Sequence, residues 1–169
     1  MKLNPNHRTI PKEGQDLTVK NELLKEFTEW NAFVDRIAAL DWNRPLSEGK
    51  WNIHGVVSHI YFWDNYFLKE AIEPISKGDP VTVVHLDYDE FNRSAVEFGK
   101  SLPKEELIRL AKYVRNELVR EIEAQDESKF IEAYPDGDGN PFTIETYLKD
   151  FVGHDRHHMK QIEASADRT

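Results

Sequence analysis

The chain contains no cysteine. That excludes disulfide frameworks, Cys-type zinc sites and thiol nucleophiles, so any metal must be held by His, Asp or Glu. It also lacks an apolar run long enough to span a bilayer and a signal-peptide pattern at its start, so a cytoplasmic protein with no membrane partner is expected. Positive charge is scarce: 22 Lys and Arg stand against 31 Asp and Glu, for a formal net charge of −9. Nucleic acid is therefore an unsuitable partner, because phosphate neutralisation supplies so much of that affinity. No glycine-rich phosphate loop and no Ser-His-Asp motif is visible. What is present is a folding composition, 39% hydrophobic over 169 residues, enough for one domain with its own core.

The first 16 residues, polar with two prolines, read as a tail or strap, and residues 17–169 as a single domain. Over residues 17–40 the apolar positions Leu23, Phe27, Trp30, Val34 and Ile37 advance in alternating steps of four and three, the spacing of one helical stripe. "NRPLSEGK" ends that helix, and Asn52 is a suitable N-cap for a second over about residues 53–73. The second helix carries two apolar stripes. Val56, His59, Trp63, Tyr66 and Phe67 share one face; Val57, Tyr61, Leu68 and Ile72 lie nearly opposite. A helix apolar on two faces is buried on two faces, so the second stripe should meet a loop or a second subunit, and a homodimer is expected.

"YDEFNRSAVEFGKSL" reads as a short helix. Pro103 fits the first turn of a longer one running to about residue 124, with Leu107, Leu110, Ala111, Val114, Leu118 and Ile122 inward. "YPDGDGNP" is a turn cluster, after which Thr143 caps a last helix to about residue 164. Four long amphipathic helices with no convincing sheet predict an all-α four-helix bundle.

The last helix contains "GHDRHHMKQI", and with it three of the seven histidines within five positions. Residues four apart lie one turn above each other, so His154 and His158 share the face that carries Tyr147, Phe151 and Ile162. His157 falls about 60° to the side of His154 at about 100° per residue. Two imidazoles at this spacing can bind one metal ion. A lone inward histidine is more often a packed core residue with satisfied nitrogens. Here, however, the inward face of the second helix offers His59 as a third, and a shared site explains three better. His54 is five residues earlier, about 140° round the helix, and cannot chelate with it.

Other constellations are weaker. Asp155 follows His154 where the HExxH motif needs its glutamate general base. Asp136, Asp138 and Asn140 begin like a calcium loop, but Pro141 stands at the glycine position and Tyr147 where the bidentate glutamate belongs. The remaining acidic residues form a solvated surface, with Asp64 the one carboxylate to watch.

"EGKWNIHGVVSHIYFWDNYFL" and "FVGHDRHHMKQI" together resemble the DinB/YfiT-like superfamily of bacterial metal-binding four-helix bundles, over about residues 17–164. The resemblance implies a bundle with a long crossover connection, often dimeric, and one divalent transition metal held by His59, His154 and His158. It implies that His157 is not a ligand and that Gln161 lies near the site. Zinc or nickel would be the first choices, with iron, copper or manganese also suited. Members include S-transferases that use the low-molecular-weight thiols bacillithiol or mycothiol, and metal-dependent hydrolases. A metal enzyme activating water or a small thiol against an electrophilic small-molecule substrate is therefore one expectation. The other is a non-catalytic protein that sequesters a small molecule around a structural or vestigial metal.

Overall fold

The computed structural model describes residues 18–168; the tail expected over residues 1–16 lies outside the described residues. Helix α1, Val19–Ile37, starts where the Thr18 hydroxyl accepts the Asn21 N–H at 3.2 Å. It buries the predicted stripe, to which Leu24 and Phe33 are added. Helix α2, Ile53–Phe67, begins with the Asn52 side-chain oxygen accepting the Gly55 N–H at 2.8 Å. It does not stop near residue 73. A π-helical turn, Leu68–Ile72, is closed by the Glu73 N–H on the Leu68 carbonyl, and α3, Glu73–Lys77, carries the rod onward. Gly78, at φ 76°, supplies the left-handed residue that ends it.

Residues 78–87 lead to α4, Tyr88–Lys100, capped by Asp87. Next comes α5, Lys104–Glu123, for which Pro103 is the N-cap and not part of the first turn. A short α6, Glu127–Ile131, and a two-stranded hairpin were not legible in the sequence. In the hairpin β1, Tyr134–Pro135, pairs antiparallel with β2, Pro141–Phe142, round the expected turn cluster. The Thr143 hydroxyl then accepts the Thr146 N–H at 3.0 Å and opens α7, Ile144–Ala166.

The four long helices form the bundle. α1 packs against α5 and α7, and α2 packs against α5 and meets α7, so the consecutive helices α1 and α2 occupy diagonal corners. The long connection between α2 and α5 lays α4 along the outside of α2. No helix among the described residues is long and apolar enough to cross a membrane.

This arrangement corrects the reading of the second helix. Its second stripe is covered within the chain, chiefly by α5 and α4 and in part by the connection after α3. Val57 packs in one core cluster with Leu107 and Ala111 of α5. Leu68 and Ile72 pack in another with Val114, Leu118 and Ile122 of the same helix, and Val81 of the connection joins them. Tyr61 stacks on Phe98 of α4 at 5.8 Å. The stripe is thus the main core face of α2, with Ile60, Asp64, Ala71 and Ile75 also buried on the rod. It needs no dimer to cover it.

The crossing of α4 over α2 depends on one small residue. A Cβ at Gly99 would fall on the Ser58 hydroxyl and 2.6 Å from the Ser58 Cβ, inside van der Waals contact. The helices can approach this closely only with glycine there, and the Gly99 carbonyl uses the proximity to accept the His54 ring N–H at 2.6 Å. Gly99→Ala is expected to destabilise the fold by about 1–3 kcal/mol, the usual cost of overpacking. Urea unfolding measures it; a wild-type midpoint would show that α4 moves freely on α2.

Candidate metal centre

His59 on α2 and His154 and His158 on α7 converge between the two helices. Each offers one ring nitrogen to a cluster within 4.8 Å. Ring centroids are 5.0 Å apart for His59 and His154, 5.1 Å for His59 and His158, and 4.7 Å for His154 and His158. His59 and His158 are buried and His154 is half-buried. His157 is exposed, beside His158 but outside the cluster. His54 faces α4 instead.

The outer nitrogens decide which way the lone pairs point. Asn92 of α4 accepts the Trp63 indole N–H at 3.2 Å through Oδ1. An indole N–H can only donate, so the atom it meets is the amide oxygen. The same oxygen lies 2.9 Å from His59 Nδ1, which must therefore carry the proton and donate it. The neutral ring then has its lone pair on Nε2, and Nε2 points at His154 Nε2, 2.9 Å away. His158 is held likewise, with Nδ1 donating to Gln161 Oε1 at 2.8 Å and Nε2 without a hydrogen-bond partner among the described residues. His154 Nδ1 is buried with no hydrogen-bond partner among the described residues. Such outer contacts are the ones that fix tautomer and ring orientation in metal-ligating histidines. The donor set fits a divalent transition ion.

Electrostatics keep the rings neutral. Burial lowers the His59 pKa to about 4, helped by repulsion from His158 and opposed by the Asn92 hydrogen bond. Burial lowers His154 to about 3, with His158, His59, Arg115 and His157 adding repulsion. His158 is also lowered, chiefly by burial, although Gln161 pulls it back. Unfolded histidines titrate near 6.5, so between that value and about 4 the unfolded chain binds protons that the folded one refuses. Stability from these rings is present above the unfolded value and is lost as pH falls through this window. Metal-free wild type should therefore lose about 1–3 kcal/mol more than His154→Ala between pH 7 and pH 4.5. Paired denaturant titrations at the two pH values read this difference, and other titrating groups common to both proteins cancel. Parallel losses would mean that His154 is as well solvated as in the unfolded chain.

Next to the histidines lies a charged group of which the sequence reading singled out only Asp64. Arg115 of α5 is fully buried and grips two carboxylates at once. Its Nε and Nη2 donate to Asp64 at 2.8 and 3.0 Å, and its Nη1 and Nη2 donate to Asp155 at 2.6 and 3.3 Å. Nη1 also donates to the Phe27 carbonyl at 2.9 Å, and the guanidinium lies 3.8 Å from the centre of the Phe27 ring. All four long helices meet here. Asp155 adjoins His154 in sequence, so the group ties α2 to α7, the two helices that carry the histidines. Two buried carboxylates share one cation, and burial raises both above their ordinary range, Asp64 to about 6, against the pull of Arg115. The signal for Arg115 was a cation inside the apolar stripe of α5; that for Asp155 was its place beside His154.

The comparisons with known proteins agree with this architecture. The model of the DinB superfamily matches residues 22–162. Among solved structures, YfiT from Bacillus subtilis, reported as "a probable metal-dependent hydrolase with an unusual four-helix bundle topology", is similar with a TM-score of 0.71 and 16% identity over 94% of this chain and 92% of that one. A mycothiol-dependent maleylpyruvate isomerase is similar with a TM-score of 0.66 and 14% identity, over 85% of this chain but 60% of that one. At such identities the likeness is one of fold. No curated protein sequence matches the chain. The family match spans most of the chain and takes in both histidine-bearing helices, and the chain belongs to the DinB superfamily.

Proposed function

We propose that the protein is a divalent-metal-dependent enzyme with His59, His154 and His158 as its ligands, acting on a small electrophilic substrate. The observation that carries this reading is the convergence of three neutral imidazoles, two of them with the proton pinned on the outer nitrogen. An ion held by three side chains supplies Lewis acidity at its open positions, lowering the pKa of a water or a low-molecular-weight thiol toward neutrality. Asn92 and Gln161 orient the ligand rings, and the Arg115 group fixes the spacing of α2 and α7. Trp51 packs beside the cluster, its ring 5.1 Å from that of His59. The descriptions of the two structural neighbours, one a probable metal-dependent hydrolase and the other a mycothiol-dependent isomerase, support chemistry on a small molecule that uses water or a small thiol, and hydrolysis or thiol transfer is the proposed reaction. Zinc or nickel is the proposed metal, the cytoplasm the proposed compartment, and any homodimer would use a surface other than the second stripe of α2.

Elemental analysis of the purified protein comes first, then screens for ester hydrolysis and for transfer of bacillithiol or mycothiol to an electrophile such as monobromobimane. One metal per chain, with turnover abolished by chelation and restored by metal, is the expected result. Metal without turnover would favour the sequestering alternative. Failure to retain any divalent ion would overturn the reading.

A further inference from the structure

Beside His158 a cleft of about 510 Å³ opens to solvent, within the range of small-molecule sites. Its inner wall is His158 and Gln161 of α7. Its sides are apolar, formed by Leu46, Val56 and the half-buried ring of Trp51. Two cations, Lys50 and Arg168, also line it, and no lining residue is acidic. In a chain of net charge −9 such a local surplus of positive charge runs against the composition.

The rim is built, not incidental. The Leu46 N–H donates to the Trp51 carbonyl at 2.9 Å, and the Lys50 N–H donates to the Ser47 carbonyl at 3.1 Å. Gly49, at φ 71°, makes the turn that joins these contacts. Arg168, just past the end of α7, spends one N–H on the Leu46 carbonyl at 2.8 Å, which fastens the helix end to the loop. The other N–H groups of its guanidinium have no partner among the described residues. Neither Lys50 nor Arg168 has a carboxylate partner among the described residues.

We infer that this cleft binds a small carboxylate-bearing molecule. The anionic end lies between Lys50 and Arg168, the apolar body lies against Trp51, Leu46 and Val56, and the far end is presented to His158. As an assignment of substrate class this rests on the metal-enzyme reading above; as a binding site it rests on the cleft alone. A guanidinium and an ammonium flanking an apolar wall select an anion with an organic body over a neutral molecule of the same shape.

The test compares 4-phenylbutyrate with 4-phenylbutanamide, by calorimetry on metal-loaded and on chelator-treated protein. The carboxylate is expected to bind at least about tenfold more tightly than the amide in both forms, the contribution of one charge-assisted contact. The ratio should fall to about one in the Lys50→Gln, Arg168→Gln double variant, with Lys50→Gln alone giving an intermediate value and metal content unchanged in both. A preference confined to the metal-loaded protein and untouched by the double variant would mean that the carboxylate ligates the ion, and would overturn the cleft assignment. Equal binding of the two probes would overturn it as well. A preference that needs both cations in a protein that retains no metal would sustain the cleft while removing the metal-enzyme reading.

Discussion

Alanine at His59, His154 or His158 is expected to lower metal affinity by more than about 100-fold, since loss of an outer partner alone costs 10–100-fold. His157→Ala should leave the metal in place, because its ring is exposed and outside the cluster. The neighbouring pair makes the contrast sharp: His157 and His158 are adjacent in sequence, yet one faces solvent and the other is buried opposite His59. Thermal stability should follow occupancy. An ion that binds only the folded state stabilises it by about 2.7 kcal/mol at one hundred times its dissociation constant. Wild type and His157→Ala should gain that increment on metal addition, and the three ligand variants should not. All four should stay helical, since the core clusters around Phe27 and Trp30 contain no histidine. Metal titration followed by circular dichroism during heating measures both effects. A variant at 157 that loses the metal while the variant at 158 keeps it would mean that α7 presents a different face to α2.

Arg115→Leu is expected to be the most damaging single change in the protein, costing about 3–5 kcal/mol at neutral pH. The substitution leaves Asp64 and Asp155 buried with no cation and also frees the Phe27 carbonyl. The pH dependence identifies the mechanism. Without Arg115 both carboxyls should titrate still higher, so the folded variant takes up protons that the unfolded chain does not. Its stability should therefore recover as pH falls from 7 toward 4.5, narrowing the gap to wild type. Replacing all three groups by apolar residues of similar size should restore much of the loss, because a buried ion pair and a packed apolar cluster are often of equal value. Urea unfolding at both pH values distinguishes this from a cavity effect, which would be the same at each. A constant gap would show that packing, and not unpaired charge, sets the cost.

The bundle was legible because its signals are local. The α1 stripe, Asn52 and Thr143 as caps, and the turn cluster before α7 each follow from residues within a turn or two of one another. His154 and His158 could be placed on one face for the same reason, and His59 because it shares the inward face with Val56. Asn92 could not be found. Its value lies in where α4 crosses α2, and a sequence does not state which helices cross. Arg115 was passed over because an arginine on an amphipathic helix is ordinarily a surface residue, and only its two partners on other helices make burial tolerable. The second stripe of α2 was assigned to a loop or a second subunit because nothing nearby shows that α5 and α4 enclose that side.

The π-helical turn at Leu68–Ile72 divides the second rod into two parts whose angular settings are independent. A π turn accommodates one residue more than the α-helical turn it replaces, so each side chain beyond it is rotated by about 100° from where a continuous helix would put it. Upstream, His59 and Asp64 are set by α7 and by Arg115 of α5. Downstream, Ile75 is set by the apolar cluster at the other end of the bundle. The turn absorbs the mismatch between these two demands. The chain can therefore lose one residue within 68–72 and return the segment to ordinary α-helix. The histidine-bearing half of the rod and the lower half would then both keep their alignment, because the residue lost is the one the π turn had absorbed. Insertions and deletions are rarely accepted inside a packed helix, and here the fold provides a place for one.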